Sequence, residues 1–379
     1  MRIALLTLFL FYATIGLSRD VDTTDITFTG ATINPYAAEY DTSGKLVFSG
    51  YVDAYFASYT DANSGSPYVK FPTVCARNKQ FGLNIVQASA RYQSNRFRGT
   101  ATLFTGDCAS SAWSVPYNAI QEANLGFRIA GKLWLDAGFF RTHIGLESIQ
   151  PRENMTLSLA STTYFEPYFL SGAKLTWQHS DQFTLQVNAF NSFNQYVETN
   201  RNKAVGISMG YNPDQHTSIA FSSICSDELQ VADASPGHLR VYNNLCITRR
   251  TARWVLGLEG NYGLQQRTGI LDQSGTAYMA SALAACKFRI TPQWAVYARG
   301  EFFHDPDEIL TGPIYNENHA IVGAELSGAT LGFEFKPIPN SYLRAEARGL
   351  HERSERIFEW GDSYSSDRLE VLVGLGVWF

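Results

Sequence analysis

Leu369–Phe379, which reads L-E-V-L-V-G-L-G-V-W-F, is the stretch that decides the fold. Every odd position in it is apolar, whereas the even positions mix Glu370 with glycine, leucine and tryptophan. A period of two residues with one apolar face is typical of a β-strand that has that face in an apolar environment. The sequence ends on this strand with an aromatic residue and no polar tail, which is common in bacterial outer-membrane barrels and rare in soluble domains. We therefore expect an all-β protein.

The first residues have the parts of a signal peptide. Arg2 gives a positive start, residues 3–17 form an apolar run, and Gly16 and Ser18 are small residues near a plausible cleavage point. We predict a signal peptide at residues 1–18, a periplasmic segment at 19–45 and one barrel at 46–379. The mature chain is therefore expected to be exported to the bacterial outer membrane.

The composition narrows the class further. No later stretch approaches the roughly 18 uncharged apolar residues that a transmembrane helix needs, and the mean hydropathy is −0.15. A barrel strand is only half apolar, so these values fit a barrel, and 14% aromatic residues would supply its interfacial girdles. Basic and acidic residues nearly balance (30 against 35), and no basic patch indicates nucleic-acid binding.

Alternating segments recur along the chain and predict an antiparallel up-and-down barrel of about sixteen strands, within a range of 14 to 18. The predicted strands are 46–59, 80–92, 96–106, 120–129, 132–141, 171–178, 182–191, 202–211, 216–225, 239–248, 253–263, 277–289, 293–304, 320–336, 341–350 and 368–379. Their connections alternate between short ones rich in turn residues and long ones, as periplasmic turns and extracellular loops do. Strand 320–336 changes phase between Glu325 and Glu334, which predicts a bulge near Ser327–Gly328.

Polar faces of these strands would point into the lumen. The predicted pore-lining charges are Asp53, Arg96, Arg98, Glu122, Arg128, Asp136, Lys174, Arg299, Glu301, Arg344, Glu346 and Arg348. Facing walls of opposite charge set ion selectivity in wide pores. A solvated or mutually paired interior without a selective role is the alternative for each residue.

Residues 142–170 form the longest predicted loop, with His143, Glu147, Arg152 and Glu153 as candidate constriction residues. The loop could fold inward and narrow the pore, or lie on the outer surface. His143 and Glu147 are four residues apart, but no third ligand stands near them, so no metal site is predicted.

The cysteines allow one disulfide, and the sequence lacks the common catalytic motifs. Cys75 and Cys108 fall in predicted loops on the same side, where a disulfide is geometrically feasible in an exported protein. The sequence contains no G-x-S-x-G, P-loop, G-x-G-x-x-G or C-x-x-C motif. We therefore predict no enzymatic activity and no cofactor.

Several segments in order resemble the OmpL-like beta-barrel porin-2 family. They are F-S-G-Y-V-D-A-Y at Phe48–Tyr55, L-W-L-D-A-G-F-F at Leu133–Phe140, H-I-G-L-E at His143–Glu147, P-Y at Pro167–Tyr168, G-A-K-L at Gly172–Leu175 and R-G-E-F-F-H-D at Arg299–Asp305. The resemblance implies an outer-membrane barrel of porin type and supplies no substrate or ligand residues.

These observations predict an outer-membrane porin whose water-filled channel passes small polar solutes or ions by diffusion. The alternative is a closed structural or surface-binding barrel without an open pore. The expected partners are outer-membrane lipid, small hydrophilic solutes or ions and, by analogy with porins of this size, two further copies of the chain in a homotrimer.

Overall fold

The computed structural model describes residues 43–61, 67–68, 74–198, 200, 202–228, 237–268 and 274–379. The predicted signal peptide at 1–18 and nearly all of the predicted periplasmic segment at 19–45 lie outside the described residues.

Sixteen antiparallel strands form one closed barrel, in which each strand pairs with its neighbours in the sequence. The strands are β1 Ser43–Tyr59, β2 Gln80–Ser94, β3 Phe97–Thr105, β4 Ile120–Ala130, β5 Leu133–Arg141, β6 Phe169–Gln178, β7 Phe183–Phe190, β8 Ala204–Asp214, β9 Thr217–Asp227, β10 Leu239–Arg250, β11 Trp254–Gln266, β12 Thr276–Arg289, β13 Trp294–Asp305, β14 Ala324–Phe335, β15 Ser341–Glu352 and β16 Asp367–Trp378. Every predicted strand is confirmed, and no end differs by more than four residues.

The C-terminal strand closes the barrel against the first one. Pairing of β16 with β1 runs from Tyr51 opposite Trp378 to Tyr59 opposite Glu370. Beyond it, Gly50 and Phe379 exchange backbone hydrogen bonds of 3.1 Å. A side chain at Gly50 would meet the Phe379 ring at 2.5 Å, so the absence of a Cβ lets the terminal ring lie on this strand.

The outer face of the barrel is apolar. From Leu369 to Val377 of β16 the outward side chains are all aliphatic, and Leu375 is 49% exposed. Aromatic pairs gather near the short-turn end, where the Trp254 and Phe288 rings lie 4.6 Å apart and those of Trp294 and Phe335 4.5 Å apart. An apolar band bordered by aromatic residues is the lipid-facing surface of outer-membrane barrels.

The predicted bulge near Ser327–Gly328 was wrong. Strand β14 pairs with both neighbours without a register shift. Glu325 faces outward at the loop end of the strand, within 4.0 Å of His304 and Arg353, whereas Glu334 faces inward. The apparent phase change arises because a charged side chain is tolerated on the outer face once the strand rises beyond the apolar band.

Helices are short and lie in the connections. They are α1 Asp107–Ala112, α2 Ser161–Phe165 and the 3-10 turns Val115–Tyr117 and Pro151–Glu153. Within the described residues, no helix has the length and apolar character needed to cross a membrane. Two small hairpins, Ile314–Tyr315 with Ile321–Val322 and Phe358–Trp360 with Ser363–Ser365, belong to the last two long loops.

Candidate functional site in the barrel lumen

Residues 142–168, called the inner segment below, connect β5 to β6 and lie inside the barrel. Most of them are buried, and only a few, including Arg152 and Glu153, keep intermediate exposure. Of the two arrangements that the sequence left open for this loop, the structure has the inward one.

Buried carboxylates of the wall satisfy the backbone of the inner segment. The two Glu346 carboxylate oxygens accept hydrogen bonds from the backbone N–H groups of Leu157 at 2.7 Å and Ser158 at 2.8 Å. Glu301 does the same for the N–H of Ser161 at 2.6 Å. A segment without regular secondary structure leaves its backbone groups unpaired unless side chains satisfy them. These carboxylates therefore bind the segment.

Arg344 binds the carbonyl groups of the same segment. Its guanidinium donates to the carbonyl oxygens of Pro151 at 2.6 Å, Thr156 at 2.9 Å and Asn154 at 3.0 Å. Its Nε also donates to Glu334 at 2.7 Å. The fixed fork of an arginine can satisfy several acceptors at once, so one side chain of β15 fixes three points of the inner segment.

Glu147 and Arg299 form the central ion pair between segment and wall. Arg299 Nη1 lies 2.9 Å from the Glu147 carboxylate and donates to the Ser158 carbonyl at 2.7 Å. Glu147 also accepts from the N–H of Ala160 at 2.7 Å and the Thr156 hydroxyl at 3.1 Å. Since both charges are buried, each depends on the other for compensation.

Two glycines on the inner wall make room for apolar side chains of the segment. A Cβ at Gly257 of β11 would come within 2.9 Å of both Leu146 and Met155, and one at Gly374 of β16 would lie 2.7 Å from Leu157. The segment is therefore packed against the wall as well as hydrogen-bonded to it.

Glu166 lies at the end of the inner segment beside β10 and β11. The Tyr242 hydroxyl donates to its carboxyl group at 2.8 Å. Glu259 of the wall accepts from the N–H of Leu146 at 2.7 Å. Burial, and then the negative charge of Glu259, raise the pKa of Glu166 well above its ordinary value.

Half of the predicted pore-lining charges are covered by this segment. They point into the barrel as predicted, but each is at most 8% exposed, so none borders open water: Asp53, Arg299, Glu301, Arg344, Glu346 and Arg348. Asp53 is bound by Asn84 at 2.7 Å and by the Tyr342 hydroxyl. Interpreting these residues as a pore lining was wrong, because the wall charges bind the segment.

Arg96, which was also predicted to line the pore, lies outside the lumen. It lies in the turn between β2 and β3, where its carbonyl accepts the N–H of Arg128 at 3.0 Å, and its side chain is exposed. Strand β3 begins one residue after it, at Phe97. Arg96 therefore belongs to the rim of the barrel.

The wall formed by β2–β6 carries the other predicted charges. Arg98 Nε donates to Asp136 at 2.6 Å, and the pair lies directly over Gly126, where a Cβ would collide with the Asp136 carboxylate. Arg128 and Arg98 approach the Trp134 ring, with guanidinium carbons 5.0 and 4.4 Å from its centroid. The absence of a side chain at Gly126 lets a charged pair lie flat against this wall.

Lys174 of β6 lies opposite Asp136, and Glu122 of β4 lies further toward the loop end of the same wall. Lys174 Nζ is 4.2 Å from the Phe140 ring centroid, and Glu122 accepts the N–H of Arg141 at 3.3 Å. Arg141 forms a bidentate pair with Glu153 of the inner segment. Lys174, Glu122, Arg128 and Arg141 keep partial solvent exposure.

Arg152 and His143 complete the candidate constriction residues. The Arg152 guanidinium lies 4.7 Å from the Tyr51 ring centroid and donates to Gln150 at 2.8 Å. His143 is buried beside Asn188, and burial and then Lys174 lower its pKa well below the ordinary value. Among the described residues, no group of three or more His, Cys, Asp or Glu side chains could hold a metal ion.

Cys75 and Cys108 are both buried in one apolar cluster, and no disulfide joins them. The disulfide that the sequence left possible is therefore absent from the structure. Burial raises the pKa of both thiols, to about 12 for Cys108. In this cluster the two side chains pack as small apolar groups.

A cavity of about 570 Å³ opens at the loop end. The aromatic side chains that line it are Trp113, directly after α1, and Tyr164 and Tyr168 of the inner segment. The amides of Asn194 and Gln195 in the loop after β7 and the hydroxyl of Thr311 in the loop after β13 complete the lining. Sequence reasoning missed these residues, because they come together only when four loops fold over the same mouth.

Comparisons with known proteins agree with this architecture. The model of a family described as "Putative beta-barrel porin-2, OmpL-like" matches residues 45–379. No curated protein sequence matches the chain.

Three solved structures illustrate the likeness of fold. The outer membrane channel DcaP of Acinetobacter baumannii has a TM-score of 0.60 at 8% identity, covering 90% of this chain and 99% of that one. Salmonella typhi OmpF in complex with daunomycin has 0.58 at 12%, covering 90% and 99%. In-vitro folded OmpT of Vibrio cholerae in its trimer form has 0.57 at 9%, covering 89% and 99%.

Proposed function

The chain belongs to the OmpL-like beta-barrel porin-2 family and is an outer-membrane porin, and we propose that its solutes diffuse through the part of the lumen that the inner segment leaves uncovered. One observation carries the proposal. The segment is anchored to the wall of β10–β16, whereas Glu122, Arg128 and Lys174 on β4–β6 keep partial exposure. Charged groups retain water around them because an isolated buried charge is costly.

The path we propose begins at the cavity of the loop end and descends between the inner segment and β2–β6. Arg141, Glu153 and Glu122 come first, and Arg128 stands near the turn end. Sixteen strands is the size at which a barrel leaves an aqueous channel, and the inner segment narrows that channel. Small polar solutes or ions therefore pass by diffusion, without a catalytic group or a cofactor.

Single-channel recording tests this proposal. The mature protein is folded in detergent, its folded state is checked by heat-modifiable electrophoretic mobility, and it is inserted into a planar bilayer in KCl. Stepwise conductance supports an open path. A folded barrel that gives no steps would contradict it and favour the closed structural or surface-binding barrel.

We also propose that the porin is a homotrimer surrounded by outer-membrane lipid. A row of small outward residues crosses four neighbouring strands at one level, namely Ala284, Gly300, Ala329 and Gly349. A side chain at Gly300 or Gly349 would meet nothing within 4 Å, so the wall is flat there and a second barrel can approach closely. Gly300→Trp should reduce the mass of the detergent-solubilised complex measured by light scattering, and an unchanged mass would exclude this face.

We also propose that the chain is exported and that its signal peptide is cleaved. Cleavage after a signal peptide at residues 1–18 would leave a mature chain that starts near Arg19. Mass spectrometry of the protein purified from outer membranes should find this N-terminus.

A further inference from the structure

We propose that the uncovered path selects small anions, with carboxylate- or phosphate-bearing solutes as its organic substrates. This inference rests on the proposed function, since it concerns the charge of the same path. Its starting point is the sign of the charges that border the path.

Basic groups outnumber acidic ones on this side of the lumen. The inward charged residues of β2–β6, with the two charged residues of the inner segment that face them, are Arg91, Arg98, Glu122, Arg128, Asp136, Arg141, Arg152, Glu153 and Lys174. Arg98 and Asp136 are buried and pair with each other; of the other seven, which keep partial exposure, five are basic. The whole chain has a formal net charge of −5, so the basic excess is a property of this wall and not of the composition.

Aromatic rings position three of the basic groups without neutralising them. Arg128 lies over Trp134, Lys174 over Phe140 and Arg152 over Tyr51 (distances above). None of the three forms an ion pair with a described residue within 4.0 Å, in contrast to Arg98 and Arg141. A cation held by a ring keeps its full charge for a passing solute.

The turn end of the barrel is basic as well. The solvent-accessible charged residues of its turns and of the two strand positions next to them are Arg96, Lys132, Asp181, Asp214, Arg249, Arg250, Arg253, Arg289 and Lys336. The two aspartates are already paired, Asp181 with Lys132 at 3.0 Å and Asp214 with Arg249 at 3.7 Å. A mouth lined by one sign of charge raises the local concentration of ions of the opposite sign.

Guanidinium groups suit particular anions. Their planar fork of donors matches the two oxygens of a carboxylate or phosphate. Arg128 on β4 and Arg152 on the inner segment offer such forks to the uncovered path, and Lys174 on β6 adds an ammonium group. The path can therefore pass an organic anion from one cation to the next. The two carboxylates of the wall, Glu122 and Asp136, would attract cations, but Asp136 is already paired with Arg98, and the basic groups outnumber them.

The test is the reversal potential of single channels of the mature protein in a KCl gradient, repeated in potassium acetate. We expect chloride and acetate to be more permeant than potassium. The triple variant Arg128→Gln, Lys174→Gln, Arg152→Gln should lose most of this preference, whereas Arg353→Gln, which removes an equally basic but 80% exposed loop side chain, should retain it.

The outcomes separate the two proposals. Conducting channels that prefer potassium, or a triple variant with unchanged preference, would overturn the anion inference alone. A folded protein without conductance would overturn the proposed function and this inference with it.

Discussion

The two walls of the lumen use charged residues in opposite ways. On β10–β16, buried arginines and glutamates such as Arg344 and Glu346 bind the backbone of the inner segment and are almost fully removed from water. On β2–β6, Arg128 and Lys174 lie on aromatic rings and keep partial exposure. The same polar alternation thus builds an anchoring wall on β10–β16 and the wall on β2–β6 that we propose to be the conducting wall. The position of the inner segment distinguishes the two.

The largest expected effect comes from removing an anchoring cation. Arg344→Met leaves three segment carbonyls without a donor and Glu334 without one of its partners. Breaking a buried pair in this way costs about 3–5 kcal/mol. Urea unfolding of the folded barrel in lipid should show that loss. Arg353→Met is the control and should stay within about 0.5 kcal/mol of the wild type; equal stability of the two variants would show that Arg344 is no anchor.

Removing an anchoring carboxylate should have a more local effect. Glu346→Ala leaves the N–H groups of Leu157 and Ser158 without an acceptor, at a cost of about 1–3 kcal/mol for each orphaned group. Hydrogen exchange at these two amides should become faster while exchange in the strands of β2–β6 stays unchanged. Protection that persists at both amides would mean that the segment does not depend on this carboxylate.

Gly257 and Gly260 of β11 allow a matched pair of substitutions on one strand, one on its inner face and one on its outer face. Gly257→Val fills the space of Leu146 and Met155 and should destabilise the protein by about 1–3 kcal/mol through overpacking. Gly260→Val, three residues further on the outer face, meets nothing within 4 Å and should be nearly neutral. Thermal unfolding of both variants compares the two faces directly, and equal losses would argue against a packed inner segment.

The attachment of the segment should weaken as the pH rises. Burial and the Glu259 charge raise the pKa of Glu166, so the folded protein favours its protonated form. Such a group stabilises the docked segment fully below its ordinary pKa, and that stabilisation is lost as the pH rises through the raised value. Hydrogen exchange in residues 142–168 should therefore accelerate with pH beyond its intrinsic base dependence. Glu166→Gln should abolish the additional acceleration, and a variant with the wild-type profile would exclude Glu166 as its source.

The smallest effect on stability is expected on the conducting wall. Arg128→Gln removes a partly exposed cation without an ion-pair partner among the described residues, so the free energy of unfolding should change by no more than about 0.5 kcal/mol. The same variant should lower the chloride preference of the channel. A large loss of stability would place Arg128 with the anchors.

Alternation and turn chemistry predicted the barrel from the sequence. Strand β10 shows why this worked even where the pattern is interrupted. Asn243 breaks the apolar alternation, but it sits at an outward position and its side chain donates to the Tyr262 carbonyl at 3.3 Å, so the pairing of the strand continues through it. Because such barrels have an even number of strands, a strand was predicted at 239–248, and the structure confirms it.

Which of the two walls the inner segment covers could not be predicted from the alternation. Alternation reports that Arg299 and Arg128 both point inward, but not which of them the inner segment covers. The position of the inner segment depends on long-range contacts such as Glu147 with Arg299, 152 residues apart. It also depends on the room that Gly257 and Gly374 leave for side chains of the segment. A glycine at an inward strand position was the one available signal, since it marks a close approach of another part of the chain.

The most direct test of the two-wall account locks the inner segment in place and measures conduction. Leu157→Cys and Gly374→Cys, in a background without the five native cysteines, would join the segment to β16 at a contact where the glycine Cβ position lies 2.7 Å from the leucine side chain. Single-channel conductance is then compared before and after reduction. The account predicts steps of the same size in both states, because the conducting wall lies elsewhere; steps that appear only after reduction would show that the segment itself must move to open the pore.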